Sequence, residues 1–150
     1  MKKVFVFAAI IFTAFTANAQ LNPITWSFTA KKIADKTYEI HMTATIQNKW
    51  HLYSQKQPGD AVINPTTFVI NPNPLFKLDD KVKEIGKMEV MKDATLGISA
   101  HQYANTVDFV QKIKLKANVK TNFSGSVEYQ TCDDKKCLPP KTVNFSVAIK

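Results

Sequence analysis

Cys132 and Cys137 are the only thiols in this 150-residue chain, and they lie within the run Tyr129-Gln130-Thr131-Cys132-Asp133-Asp134-Lys135-Lys136-Cys137-Leu138-Pro139-Pro140. The segments on either side alternate apolar and polar residues as strands do. The two cysteines therefore stand at the ends of a tight connection, where their Cα atoms come within disulfide reach. Closing so short a loop removes only about 2 kcal/mol of unfolded-state freedom, against about 4.7 kcal/mol for a 100-residue loop. Stapling is thus a modest benefit, and the other chemistry open to such a pair is reversible thiol–disulfide exchange. No helix N-terminus is available to acidify either thiol, and Lys135 and Lys136 are offset by Asp133 and Asp134. The pair suits being attacked, or reacting once docked, better than acting as a free oxidant.

Oxidation requires an oxidising compartment, and the N-terminus reads as a route to one. Lys2 and Lys3 precede an apolar run from Val4 to Phe15, and Ala17-Asn18-Ala19 forms a small-x-small cleavage site before Gln20. We expect a secretory signal over 1–19, a cut after Ala19, and a single periplasmic or secreted domain over 20–150. The apolar run is shorter than the roughly 20 residues a membrane-spanning helix needs, and no later segment is longer. Without Lys2 and Lys3 the net charge of +8 falls to +6, and every positive side chain is lysine. The absence of arginine argues against nucleic-acid recognition, which relies on the bidentate guanidinium fork.

The elements that must hold the cysteines read as β throughout. Ile24, Trp26, Phe28 and Ala30 alternate with polar residues, and Tyr38, Ile40, Met42, Ala44 and Ile46 do so again after a turn at Ala34-Asp35-Lys36. Thr66 to Ile70 forms a short strand closed by Asn71-Pro72-Asn73-Pro74. Val82 to Ile85 and Lys87 to Met91 suggest a hairpin around Gly86. The period of two returns in Val107, Phe109, Gln111, Ile113 and Leu115, then in Phe123, Gly125, Val127 and Tyr129, then in Val143, Phe145, Val147 and Ile149. Seven or eight such strands predict an all-β, immunoglobulin-like antiparallel sandwich of two sheets. The cysteines belong to one hairpin of it and do not bridge the sheets. Gln47 to Pro65 and Lys92 to Ala104 read as the two longest irregular stretches, both placed to flank the cysteine hairpin.

The Tyr-Gln-x-Cys, four-residue gap, Cys-x-Pro-Pro run resembles the periplasmic N-terminal domain of DsbD, the transmembrane thiol:disulfide interchange protein. His51-Leu52-Tyr53 is similar to that family's Tyr-Leu-Tyr segment, and Gly97 to Tyr103 to the end of its cap loop. The resemblance covers most of residues 22–149 and implies an immunoglobulin-like fold with Cys132 and Cys137 as the redox pair. It implies that Cys137 forms mixed disulfides with partners, that Cys132 resolves them, and that Tyr53 packs beside the pair. It further implies a thioredoxin-like protein or domain as electron donor, and a periplasmic disulfide isomerase or cytochrome-maturation thioredoxin as acceptor. No cofactor is implied. Two positions depart from the pattern. His51 replaces the first tyrosine, and the cap presents Thr95 and Leu96 where the family has an aromatic, so Leu96 would shield the sulfurs by excluding solvent. The 150 residues contain neither the membrane electron channel nor the thioredoxin-like domain of that family, so the expected donor is a separate protein.

The competing reading is a noncatalytic binding module, for copper or for another envelope protein, with a structural disulfide. His41, Met42, His51, Met88, Met91 and His101 are residue types that bind copper, but Met42 falls on the inward side of its strand. Hydrolase readings fail on content, since neither Gly-x-Ser-x-Gly nor His-Glu-x-x-His occurs.

Overall fold

The structure, a computed structural model, describes residues 21–95 and 97–150. The expected signal sequence and Leu96 lie outside the described residues. Eleven strands are described in chain order: β1 (Ile24–Ala34), β2 (Thr37–Ile46), β3 (His51–Tyr53), β4 (Thr67–Ile70), β5 (Phe76–Ile85) and β6 (Met88–Asp93), then β7 (Ile98–Tyr103), β8 (Thr106–Leu115), β9 (Thr121–Tyr129), β10 (Thr131–Cys132) and β11 (Lys141–Ile149). All of their pairings are antiparallel. Among the described residues no helix is long and apolar enough to cross a membrane.

One layer is the sheet β1-β2-β8-β5. Facing it is the sheet β11-β9-β4, and the third sheet, β10-β3-β7-β6, carries one of the cysteines. The alternation read from sequence supplies the interior: Ile40, Met42, Ala44, Val107, Phe109, Ile113, Phe123 and Val127 are fully buried. Aromatic rings lock the first two sheets together. Phe28 of β1 stacks on Phe145 of β11 at 4.8 Å, Phe109 of β8 meets Phe68 of β4 at 5.0 Å, and Trp26 of β1 meets Tyr129 of β9 edge-on at 5.6 Å. Such pairs contribute about 0.5–1.5 kcal/mol each beyond the area they bury. Tyr129 is the last residue of β9, so the cysteine connection starts from one of the most tightly packed side chains in the molecule.

Three expectations about connectivity need correction. The all-β sandwich stands, but its second layer is divided between two sheets. The hairpin around Gly86 does not form: β5 pairs with β8 and β6 pairs with β7, so the chain leaves one sheet for another at Gly86-Lys87. A Cβ at Gly86 would sit 3.3 Å from both the Thr106 carbonyl and the Tyr103 ring, so glycine here permits a crowded crossing and not a turn. Neither long irregular stretch is wholly irregular, because β3 lies inside Gln47–Pro65 and all of β7 lies inside Lys92–Ala104.

Gly125 serves a second close approach. It stands opposite Ile70 of β4 and Phe145 of β11, and an added Cβ would meet the Val69 carbonyl at 2.2 Å. No side chain can give way there, because the obstacle is backbone. Gly125→Ala is expected to lower unfolding free energy by about 1–3 kcal/mol, the cost of overpacking a filled interior. Urea denaturation of the variant against the parent checks this.

Candidate functional site

The cysteine connection grows out of the β9–β11 hairpin. Register runs from Ile149 opposite Thr121 to Lys141 opposite Tyr129, and the residues between 129 and 141 form a smaller hairpin of their own. In it Cys132 and Cys137 face each other as an isolated antiparallel bridge. Asp133 N–H donates to the Lys136 carbonyl at 2.9 Å on one side of the pair, and Leu138 N–H donates to the Thr131 carbonyl at 2.9 Å on the other. Those flanking bonds mark a non-hydrogen-bonded cross-strand pair, the position at which side chains approach most closely. The sulfurs are joined as a disulfide, with the Cα atoms 4.0 Å apart.

Asp133 organises the turn. Its Oδ1 accepts the backbone N–H groups of Lys135 at 2.8 Å and Lys136 at 2.7 Å, an Asx arrangement that closes the loop without a glycine. These backbone donors, with smaller help from the two lysine charges, hold the Asp133 carboxyl below its ordinary value.

The two sulfurs sit in different surroundings. Cys132 is buried, whereas Cys137 is exposed at the rim of the turn. Cys132 belongs to a small apolar cluster with Tyr53 and Ala100, against which Ile63 and Met91 pack. Strand register explains how these residues meet. Cys132 pairs with His51, Tyr53 follows two residues along β3 on the same face, and Tyr53 stands opposite Gln102 of β7. Ala100, two residues before Gln102, again shares that face and stands opposite Met91 of β6. The face of the third sheet that carries the cysteine is therefore His51, Tyr53, Ala100, Gln102, Glu89 and Met91.

Hydrogen bonds fasten this platform from several directions. Thr131 Oγ1 donates to the His51 carbonyl at 2.7 Å, and Thr66 Oγ1 to the Tyr53 carbonyl at 2.5 Å. Gln130 receives the Asn64 N–H at 2.9 Å and donates to the Leu138 carbonyl, tying the 61–65 segment to the cysteine turn. Gln57 reaches both the carbonyl and the N–H of His101, which extends the hold of β7 beyond β3. The carboxylate of Glu84 on β5 accepts the hydroxyl of Ser54 at 2.7 Å, the N–H of Gln55 at 2.6 Å and the hydroxyl of Tyr103 at 2.6 Å. Glu84 thereby clamps the first sheet to the strand that carries Tyr53. Burial, with the Glu84 carboxylate adding to it, pushes the Tyr103 phenol far up, and burial pushes the Tyr53 phenol up as well. Neither phenol gives up a proton at neutral pH.

Beside the turn an open groove of about 320 Å³ is bounded by Leu21, Pro23, Tyr129, Leu138, Pro139 and Lys141. Neither cysteine lines it, and Leu138 of its lining directly follows Cys137 in sequence.

Of the residues singled out from sequence, Cys132, Cys137, His51 and Tyr53 come together, and Thr95 lies in the turn between β6 and β7. The copper-type residues do not assemble. His41 lies on β2, with Nδ1 2.6 Å from Asp108, Met42 is in the core, and His101 Nδ1 meets the Lys56 carbonyl at 2.9 Å. Met91 packs in the cluster around Cys132. Among the described residues no three of His, Cys, Asp and Glu are grouped to hold a metal ion. Sequence reasoning missed Ala100, Ile63 and the Glu84 clamp. The alternation of Ile98 and Ala100 with polar residues is a signal that could have pointed toward the first of these.

Comparisons with known proteins bear on the family and the fold. The family model described as thiol:disulfide interchange protein DsbD, N-terminal, matches residues 18–149. The N-terminal domain of Neisseria meningitidis DsbD in the reduced form superposes with a TM-score of 0.55 at 17% identity, over 88% of this chain and 92% of that one. A structure of the complex between the DsbD and PilB N-terminal domains of the same organism gives a TM-score of 0.49 at 18% identity, over 87% and 88% of the two chains. No curated protein matches the chain.

The Asp133 arrangement predicts a pH response confined to the turn. A carboxyl whose folded value is depressed contributes its stabilisation above the unfolded value and loses it as pH falls through the folded one. In a carbon-detected NMR titration the Asp133 side-chain carboxyl should titrate below the ordinary 3.8, and the Lys135 and Lys136 amide shifts should move with it.

Proposed function

Because the chain belongs to the DsbD N-terminal domain family, we propose that its thiol:disulfide exchange runs as a relay through the Cys132–Cys137 pair. The observation that carries the proposal is the unequal exposure of two sulfurs already bonded to each other, with Cys137 at the rim and Cys132 in the apolar cluster. A docked partner can reach one sulfur and is shielded from the other.

In the reduced state Cys137 attacks a partner disulfide as the thiolate. One partner sulfur departs and takes up a proton, and the other is left bonded to Cys137. Cys132 then attacks Cys137, the bond to the partner breaks, and the second partner sulfur leaves as a thiol. The pair has lost two electrons and the partner disulfide has gained them. A thioredoxin-like protein restores the pair by the reverse sequence, with a periplasmic disulfide isomerase or a cytochrome-maturation thioredoxin as the acceptor class. Tyr53 shields the buried sulfur, His51 flanks it, and Leu96 belongs to the cap segment. The domain is taken to act in the periplasm over 20–150, after loss of the 1–19 signal sequence.

Equilibration of the purified domain with a thioredoxin-like protein, followed by alkylation and mass analysis, tests the relay. A reduction potential within about −120 to −270 mV is expected, the span of exchange proteins. Cys132→Ser should accumulate a stable mixed disulfide through Cys137, and Cys137→Ser should form none. A potential below about −300 mV would make the bridge structural and favour the noncatalytic binding module.

A further inference from the structure

Resolution of a mixed disulfide requires the Cys132 sulfur as a thiolate, and the same burial that shields this sulfur opposes its ionisation. A thiol in apolar surroundings ionises reluctantly. Its neighbours in the cluster are Tyr53, Ala100, Ile63 and Met91, and none of them accepts a proton at neutral pH. The carboxylate of Asp133 is committed to the Lys135 and Lys136 amides. One side chain on this face has an imidazole. His51 is the register partner of Cys132 across β3 and β10, on the same face of the sheet and half-buried. Side chains of such directly opposed residues have Cβ atoms about 4.5–5.5 Å apart, which brings an imidazole to the sulfur.

Building on the exchange reading, we propose that His51 is the general base for Cys132 in the resolving step. In the mixed disulfide, Cys137 Sγ is bonded to a partner sulfur. His51 takes the proton from Cys132 as the Cys132 electron pair attacks Cys137 Sγ. The partner sulfur leaves with the electrons of the broken bond and is protonated, and His51 returns to neutrality by giving up the proton it held. One dithiol is oxidised and one disulfide is reduced. Cys137, exposed to solvent, needs no such help, so His51 acts on one half of the cycle. Other ionisable groups on this face are Tyr53 on β3, Glu89 and Asp93 on β6, and Cys132 itself. At the turn lie Asp133, Asp134, Lys135, Lys136 and Cys137, and His101 of β7 points to the opposite face.

The reaction of the reduced domain with 5,5′-dithiobis(2-nitrobenzoate) separates the two steps. The first release of thionitrobenzoate reports attack by exposed Cys137, and the second reports resolution by Cys132. For the parent, the rate of the second phase is followed against pH. In His51→Gln and His51→Asn the rise of that phase should move to higher pH, as expected of a buried thiol left to ionise unaided. At pH 6.5 the second phase should slow about tenfold or more, the low end of general-base contributions, while the first phase stays within about twofold. Toward high pH parent and variants should converge. Equal slowing of both phases, or an unchanged pH profile of the second, overturns the role of His51 and leaves the exchange reading standing. A parent that releases only one equivalent overturns the exchange reading itself. Should neither variant fold, His51→Tyr, which keeps a ring at this position and cannot serve as the base, decides by the same comparison.

Discussion

The register of β9 on β11 governs everything at the cysteine site. With Tyr129 opposite Lys141, the chain has eleven residues in which to turn, and the backbone bonds at Asp133 and Leu138 then force Cys132 and Cys137 face to face. A slip of one residue would turn every side chain of a strand to the other side of its sheet. Phe123, Val127 and Tyr129 would then leave the interior. The hydrophobic cost of that slip falls on the core, yet what it protects is the geometry of a turn on the rim. Gly125, pressed against the Val69 carbonyl, and the ring contact between Trp26 and Tyr129 fix the same register from within.

The third sheet supplies the surroundings of the pair and depends on the first for its position. Glu84 is the clearest joint, because its carboxylate satisfies two buried hydroxyls and a backbone amide from β7 and from the residues after β3. An orphaned buried polar group costs about 1–3 kcal/mol, so the two hydroxyls and the amide hold β3 and β7 to β5 more firmly than apolar contact alone. The result is a rigid platform under Cys132 and a free rim at Cys137.

Much of this was legible in the chain. Period-two alternation located the inward faces of β1, β2, β8, β9 and β11, since the requirement to bury one side of an antiparallel sheet acts residue by residue. The cysteine hairpin followed from spacing, and the family from the residues around it. What escaped the sequence depends on pairing at a distance. Gly86 between two alternating stretches reads the same whether the chain folds back on itself or crosses to another sheet. β3 is three residues long, too short for a period to show, and β7 carries Ala100 and Gln102 at positions where a longer apolar run would have marked a strand. Which sulfur lies buried, and that His51 stands across from it, depend on a register that no local pattern specifies.

The backbone bonds flanking the cysteine pair do not involve sulfur. They belong to the turn and to the hairpin beneath it, so cleaving the S–S bond leaves intact what positions the two residues. Each thiol then experiences the other at an effective molarity set by the turn, which for well-oriented neighbours far exceeds any concentration of free thiol in solution. Closure of the Cys132–Cys137 bond therefore competes well against any external thiol. The turn that shapes the loop thus also biases the two sulfurs toward each other and away from anything outside the hairpin.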